Sequence, residues 1–302
     1  MNLITKTLLV TCFLFIQMLS AENGNLEEKP SELTKLQVEP TKEKEGEKKD
    51  QTKEKKSPHT FKATLTIVTD YRDRGISQTM RQPAVQGEFD YAHSSGFYFK
   101  TWASNVDGTG NFINNTSLEL DFYLGIKGKY FQTPFEFDAG LEFYYYPGGE
   151  VFVPHRTTYN TLEFYAQFSY KKFNIVFHQT LTNYFGVSAH SPPINWNKNR
   201  TIKPNGRSIG SPYFEANWEI PYNSKLIFLL HAGCQIVINY PQLSYVDWLV
   251  TLTYKFEWFD ASLSYVASNA RHAFYDVPDH AFHPTRRKLG GPGIYAGISR
   301  SF

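Results

Sequence analysis

Charged side chains recur at alternate positions in several stretches of this chain, and they are its main candidates for chemistry. In the run 66–107, TIVTDYRDRGISQTMRQPAVQGEFDYAHSSGFYFKTWASNVD, two arginines stand among carboxylates, and Glu88 and Asp90 alternate with Phe89 and Tyr91. Carboxylates and guanidinium groups form strong ion pairs, and they also line paths for charged solutes. The sequence therefore predicts a wet, charged surface opposite an aromatic one.

Other groups that could carry chemistry are weaker. One long loop contains possible metal ligands, but without cysteine support a polar loop is the more common meaning of such a group. These ligands are His272, Asp276, Asp279, His280 and His283. Neither a G-x-S-x-G nucleophile motif nor a phosphate-binding glycine loop is present. We therefore predict no catalytic residues, no cofactor and no metal, and the net charge of +2 without a basic stripe argues against nucleic acid.

The charged residues lie on predicted β-strands. Apolar and polar side chains alternate with a period of two, which a strand produces when its two faces meet different surroundings. The clearest example is 117–128, where Glu119 and Asp121 alternate with apolar residues. We predict strands at 61–72, 84–93, 96–105, 117–128, 134–146, 159–171, 173–183, 213–220, 225–239, 245–256, 258–268 and 292–302. The register of the third and ninth strands stays open, because the ninth is apolar on both faces.

The links between these strands differ in length on the two sides. After the even-numbered strands the chain turns within a few residues, whereas most other links are long, the largest at 184–212 and 269–292. Only the link after strand nine, YPQLS, is a short exception. This sorting is typical of outer-membrane barrels and is not required of a soluble sandwich. We predict an all-β fold, an antiparallel transmembrane β-barrel of about twelve strands with short periplasmic turns and long extracellular loops.

The chain divides into three segments. A basic residue, an apolar run and small residues indicate a secretory signal peptide at 1–21, which implies export to the cell outer membrane of a Gram-negative bacterium. Residues 22–60 hold lysines and acidic residues in nearly equal number and no aromatic residue, which predicts a disordered tether. Nearly all of the aromatic residues therefore belong to 61–302, the predicted barrel. No run there approaches the roughly 20 apolar residues of a membrane helix.

The opening blocks of the barrel carry a family resemblance. TDYRDRGISQT, PAVQGEFDYAH, SGFY and TWASNVD, in this order, resemble the N-terminal signature of the TorF-type porin family, also known as a Gcw-type conserved hypothetical outer-membrane family. The resemblance covers 61–302 and implies an outer-membrane barrel described as a porin. The chain departs from the family pattern at Asp73, where an aromatic residue is usual, and at Lys100, where glycine is usual.

The C-terminal strand resembles the signature by which outer-membrane barrels are recognised for insertion. Phe302 ends the chain, with Ile298, Ala296 and Ile294 in phase behind it, although Arg300 stands where an apolar residue is more usual. We therefore expect two partners besides the solute, namely outer-membrane lipid and the outer-membrane insertion machinery, the latter through Phe302.

With the apolar faces toward lipid, thirteen acidic and six basic residues point inward. This excess predicts a porin or channel for small hydrophilic solutes that prefers cations, with the solute itself left open. The candidates for lining the lumen are Asp70, Arg72, Arg74, Gln86, Glu88, Asp90, Glu119, Asp121, Glu136, Asp138, Glu142, Glu163, Glu215 and Asp247. Two alternatives remain: a structural or adhesive barrel plugged by salt bridges among these groups, and an outer-membrane enzyme acting on lipid.

Overall fold

The computed structural model describes residues 57–107, 116–151, 157–190, 205–278 and 286–302. The described chain forms a closed antiparallel barrel in which each strand pairs with the next and the last pairs with the first. The strands are β1 (His59–Val68), β2 (Ala84–His93), β3 (Phe97–Asn105), β4 (Leu118–Lys129), β5 (Phe135–Tyr145), β6 (Thr161–Tyr170), β7 (Phe173–Thr180), β8 (Pro212–Pro221), β9 (Leu226–Gln235), β10 (Tyr245–Lys255), β11 (Asp260–Ser268) and β12 (Gly293–Ser301). The predicted all-β barrel of about twelve strands is confirmed.

The observed strand bounds differ from the predicted ones most at β1, which ends at Val68 rather than at residue 72, and at β9. β1 begins at His59, inside the predicted tether, because His59 and Thr60 pair with the end of β2. β9 ends at Gln235, so the link that follows spans 236–244 and includes a short 3-10 helix, Pro241–Leu243. The predicted short link after strand nine is therefore wrong. The predicted signal peptide and the tether as far as residue 56 lie outside the described residues.

In the structure, every short link lies at one end of the barrel and every long link lies at the other. One end of the barrel, the short-turn end, has the links 94–96, 130–134, 171–172, 222–225 and 256–259. The other, the long-loop end, has 69–83, 106–117, 146–160, 181–211, 236–244 and 269–292. This is the arrangement of an outer-membrane barrel, in which long loops face outward and tight turns face the periplasm.

Short elements interrupt the long loops. Three small hairpins are formed by Arg72–Asp73 with Ile76–Ser77, Glu150–Val151 with Thr157–Thr158, and Asp276–Pro278 with Arg286–Lys288. A 3-10 helix, Tyr184–Gly186, and a single-turn α-helix, His272–Tyr275, complete the set. Among the described residues, no helix is long and apolar enough to cross a membrane.

The outer surface of the barrel is apolar. On β1 the residues Phe61, Leu65 and Ile67 are 63%, 49% and 52% exposed, which is the outward face predicted from the period of two. Ile298 on β12 and Leu263 on β11 continue this exposed surface around the seam. A closed sheet satisfies its backbone groups internally, so an apolar outer face suits lipid.

Aromatic residues gather at the short-turn end. Tyr130, Phe131, Tyr222 and Trp258 are exposed in or beside the turns, as expected of rings at the boundary between lipid and water. Arg300, which departs from the apolar phase of β12, has its guanidinium 5.6 Å from the ring of Trp258. It also lies 4.9 Å from the ring of Phe302. The aromatic surroundings account for a cation on an otherwise apolar face.

The loops at the long-loop end pack together into a hydrophobic cluster over the barrel. We call this set the loop cluster; its buried members are Ile76, Met80, Tyr144, Tyr146, Tyr184, Phe185, Val237, Tyr240, Leu243, Tyr245, Ala270, Phe274, Tyr275 and Leu289. Met80 and Tyr240 are 1% and 0% exposed, and Tyr275 donates a hydrogen bond to the Leu243 carbonyl at 2.7 Å. Aromatic packing of this kind holds five of the long links against one another.

Gly140 on β5 lies where the wall and the interior are tightly packed. It stands directly opposite Gly125 on β4, and a Cβ added there would lie 2.6 Å from the Tyr165 hydroxyl and 2.8 Å from the Gly125 Cα. We expect Gly140→Ala to lower the free energy of unfolding by about 1–3 kcal/mol, because the added methyl overpacks this point.

The matched control is Gly87→Ala on β2, where an added Cβ meets nothing within 4 Å. Urea unfolding of the barrel in lipid vesicles, followed by tryptophan fluorescence, measures both changes. Equal losses of stability in the two variants would contradict this account of Gly140.

Candidate functional site

The loop between β1 and β2 folds back into a hairpin, which we call the arginine hairpin: Arg72–Asp73 paired with Ile76–Ser77. Its two-residue turn has positive φ at both positions, 44° at Arg74 and 79° at Gly75. This is the type I′ geometry that favours glycine and matches the twist of paired strands. A Cβ at Gly75 would lie 2.6 Å from the Cβ of Asp247 on β10, so the tip of the hairpin approaches the far wall.

Arg74, at the tip of the hairpin, contacts residues on four strands of the barrel. Its guanidinium donates to both carboxylate oxygens of Glu163 on β6, at 2.6 and 3.2 Å. It also donates to Tyr144 on β5 and Gln235 on β9, each at 3.2 Å, and lies 4.4 Å from the ring centre of Tyr213 on β8. Contacts to so many strands place this side chain inside the barrel.

Arg72 anchors the base of the same hairpin. It donates to Asp70 at 2.6 Å and to the backbone carbonyls of Leu289 and Gly291 at 2.6 and 3.2 Å. Asp70 in turn accepts a 2.6 Å hydrogen bond from Ser77. The hairpin is thus tied at its base to the loop before β12 and at its tip to the opposite wall.

A second group of polar side chains bridges the interior nearer the short-turn end. Tyr98 on β3 donates to Asp138 on β5 at 2.7 Å, and its hydroxyl also contacts that of Tyr165 on β6. Lys100 lies 3.9 Å from the ring centre of Tyr123 on β4. Strands β3 and β6 are separated by two others, so the contact between the two tyrosines crosses the interior.

The wall formed by β8, β9 and β10 carries a histidine network. His231 on β9 hydrogen bonds to Asn217 at 2.7 Å and to Asp247 at 3.0 Å, and Tyr213 donates to Asp247 at 3.2 Å. Glu215 stands 3.7 Å from the same imidazole. This network fixes the register of β9, which the sequence left open: His231 and Gln235 face the interior.

Several acidic residues at the long-loop end lack a matching cation. Glu119 on β4 is 1% exposed and accepts a 2.7 Å hydrogen bond from Tyr146, but its Oε2 has no partner. Asp121, 3% exposed, has an unpartnered Oδ1. Leaving a buried carboxylate oxygen without a partner is costly, so these two groups add to the stability cost of the acidic interior.

The remaining predicted residues lie nearer the short-turn end. Gln86, Glu88 and Asp90 on β2 are half-buried, and Glu88 lies 3.8 Å from Lys100. Glu136 is exposed at the start of β5, where it pairs with Lys129 at 3.4 Å. These side chains meet more water than the group around Arg74.

A cavity of about 280 Å³ lies beside the arginine hairpin. Its wall includes four residues of the hairpin, two histidines, and three carboxylates on the strands around it. The lining residues are Arg72, Asp73, Arg74, Gly75, Tyr123, Glu142, Tyr144, His178, Tyr213, Glu215, His231, Asp247, Leu249, Val266 and Tyr295. Its polar groups make it a space for water or a small polar solute.

Sequence reasoning missed several residues of this interior. Tyr213, His178 and His231 are not among the lumen candidates given above. A sequence signal was present for His178, because it shares its phase on β7 with Asn174 and Thr180, opposite the apolar Ile175 and Phe177. The course of the loop that carries Asp73 has no periodic signal in the sequence.

The weaker chemical candidates separate into two cases. His272 pairs with Asp276 at 3.0 Å, while residues 279, 280 and 283 lie outside the described part of the chain. In the described part of the chain, His231 contacts an amide, carboxylates and a tyrosine rather than a serine. The described geometry therefore offers His231 no serine nucleophile.

The comparison with family models identifies the chain. Residues 52–302 match the family described as a bacterial protein of unknown function (Gcw_chp), and the chain belongs to this family. The resemblance predicted from its opening blocks is confirmed. No sequence among curated proteins matches the chain.

Solved structures with a similar course of the chain are outer-membrane barrels. The KdgM porin is 8% identical, with 80% of this chain and 99% of that chain covered and a TM-score of 0.45. The NanC porin is 10% identical, with coverage of 79% and 98% and a TM-score of 0.44. Outer membrane phospholipase A from Escherichia coli is 8% identical, with coverage of 80% and 91% and a TM-score of 0.36. The fold assignment rests on the strand pairing of the chain itself.

The closed sheet and its outer surface settle the location. A bilayer admits only helices and closed barrels, and this barrel has an apolar exterior, polar groups inside and links sorted by side. The protein is an outer-membrane β-barrel, with lipid as the partner of its outer surface.

The ion pair between Arg74 and Glu163 yields a stability prediction. Their side chains are 6% and 1% exposed, so Arg74→Gln leaves a buried carboxylate without its main partner and should lower the free energy of unfolding by about 3 kcal/mol. Adding Glu163→Gln should restore most of the loss, because the uncompensated charge disappears.

Lys172→Gln is the matched control, since Lys172 pairs with Glu219 at 3.2 Å but both are at least half exposed. Its cost should stay below about 1 kcal/mol. Urea unfolding in vesicles measures all three variants. A cost for Arg74→Gln no larger than that of the control would show that the buried pair does not hold the hairpin.

Proposed function

We propose that this member of the Gcw_chp family is an outer-membrane porin, a channel for small hydrophilic solutes with a preference for cations. The supporting observation is the acidic interior. Adding Asp73 and Arg74, which lie in the arginine hairpin, to the inward groups counted from sequence leaves the excess of seven acidic residues unchanged. Fixed negative charge in a confined space raises the local concentration of cations.

The proposed path runs past the predicted lumen residues. From the short-turn end a solute meets Asp138, Glu88 and Lys100, then Glu215 and the histidine network, and finally the arginine hairpin. The candidates that line it remain Asp70, Arg72, Arg74, Gln86, Glu88, Asp90, Glu119, Asp121, Glu136, Asp138, Glu142, Glu163, Glu215 and Asp247. Rings of charged side chains are one of the common means of ion selection in channels.

The arginine hairpin forms the constriction of this channel. A barrel of about eight strands is filled by its own side chains, and one of sixteen strands has an open passage. In this barrel of twelve strands, the loops therefore determine whether the interior is open or filled. Here Arg74 reaches across the interior to β5, β6 and β9. The passage is narrow at this level, which favours small solutes over large ones.

A structural barrel with a filled interior is the second candidate. The same contacts of Arg74, together with the loop cluster, favour it, because they join the hairpin to the wall on several sides. In this alternative the buried ion pair is a permanent lock. An enzyme acting on lipid has less support, since the partners of His231 do not include a serine.

Phe302 supports a proposal about assembly. Its backbone closes the seam by two hydrogen bonds with Ala63, and its side chain is 68% exposed. An exposed terminal aromatic residue on the last strand suits recognition by the outer-membrane insertion machinery before the seam closes.

Charge selectivity is the first test of the channel. Purified protein in a planar bilayer, under a salt gradient, should give a reversal potential that shows cation preference. Glu88→Gln combined with Asp90→Asn should shift this potential toward zero, because two fixed negative charges leave the interior. Glu257→Gln, in an exposed turn, changes charge outside the barrel and serves as the control. Anion preference of the unmodified protein would overturn the proposal.

Single-channel conductance separates the two candidates. A channel narrowed by the arginine hairpin conducts in its native form, and Arg74→Gln should raise the conductance because the tip of the hairpin loses its hold on Glu163. A filled barrel gives no conductance in its native form. If neither protein conducts, although both migrate as folded barrels on a gel before heating, the channel proposal fails and the structural role stands.

A further inference from the structure

We propose that Glu142, Glu163 and His178 form a binding site for a divalent transition metal ion, with Zn²⁺ as the best match, and that the ion competes with Arg74 for Glu163. The three residues lie on the neighbouring strands β5, β6 and β7. One ligand atom of each lies within 4.8 Å of the others. Imidazole and carboxylate together are a ligand set that Zn²⁺ accepts.

The pairing of the strands produces this cluster. Glu142 and Glu163 stand directly opposite each other in the register of β5 and β6, and their side chains are 4% and 1% exposed. Like charges in directly opposed positions repel, and burial strengthens the repulsion. A cation beside them would relieve this repulsion, and of the two carboxylates only Glu163 bonds directly to Arg74.

The distances fit a tetrahedral ion. Nδ1 of His178 lies 3.7 Å from Oε2 of Glu142 and 3.5 Å from Oε2 of Glu163. Two ligand atoms that each lie about 2.1 Å from Zn²⁺ at a tetrahedral angle are separated by about 3.4 Å. Only small side-chain adjustments are needed to place all three atoms around one ion.

The imidazole is free to bind. Nδ1 of His178 is buried and has no hydrogen-bond partner, although two carboxylates face it. The cavity of about 280 Å³ has Glu142 and His178 in its wall, which gives space for an ion and for water as a further ligand.

Competition with Arg74 follows from a shared atom. Oε2 of Glu163 accepts the 2.6 Å hydrogen bond from Arg74 and is also the nearest ligand atom to His178. An ion bound there repels the guanidinium and takes its acceptor. Metal binding therefore loosens the tip of the arginine hairpin, and any effect of this on conduction rests on the proposed function, whereas binding itself does not.

Calorimetric titration of Zn²⁺ into the full-length protein in detergent, after treatment with a chelator, tests the site. We expect one equivalent to bind, with His178→Gln and Glu142→Gln each weakening it by at least about tenfold. Arg74→Gln should strengthen binding, because the competing cation is gone. This opposite sign is not expected of a variant that merely disturbs the fold.

Two controls make the outcome decisive. His272→Ala removes an exposed histidine in the surface loop 269–292, where His272 and Asp276 are a second place for adventitious zinc, and it should leave the site intact. Heat-modifiable migration on a gel verifies that each variant is a folded barrel. The proposal is overturned if no zinc binds, if His272→Ala abolishes binding, or if Arg74→Gln weakens it. A barrel that binds zinc but does not conduct would contradict the channel and leave the metal site standing.

Discussion

Closure of the sheet is the constraint on which the rest of this structure depends. Lipid offers no hydrogen-bond partner to a backbone, so β1 must find β12, and the whole wall must alternate apolar and polar side chains. Alternation sends most charged residues of the strands into the same enclosed space, with Arg300 on β12 as an exception. The acidic interior is thus a direct result of the period of two. Arg72 and Arg74, which no strand supplies, enter from a loop and offset part of the resulting negative charge.

Both main candidate functions, the channel and the structural barrel with a filled interior, depend on the contacts of the arginine hairpin. Arg74 is bound by atoms of three strands and lies over the ring of a fourth, yet its hold on the wall rests mainly on one carboxylate, Glu163. A contact of this kind is strong when complete and is lost as a whole when its acceptor is taken. The same contacts narrow the passage in the channel candidate and lock the interior in the structural candidate.

Sequence patterns predicted the wall well and the interior less well. Strand β2 was predicted at its observed bounds, because alternation and turn residues are local properties. β9 could not be placed in register from its own residues, since both faces are apolar, and only the contacts of His231 with Asn217 and Asp247 fix it. The role of Asp73 and the meeting of Glu142, Glu163 and His178 depend on how three strands and a loop come together, which no single stretch of sequence records.

The seam between β1 and β12 also determines when the barrel can form. Thr64 and Ser301 share a 3.1 Å hydrogen bond across a sequence separation of 237 residues, while every other strand pair joins neighbours along the chain. Contacts between residues so far apart carry the largest entropic cost of closure and form slowly. An incomplete chain exposes two open sheet edges at this seam. Closure of the sheet therefore requires the last strand, and a chain that stops short of Phe302 loses the two hydrogen bonds that end the seam at Ala63.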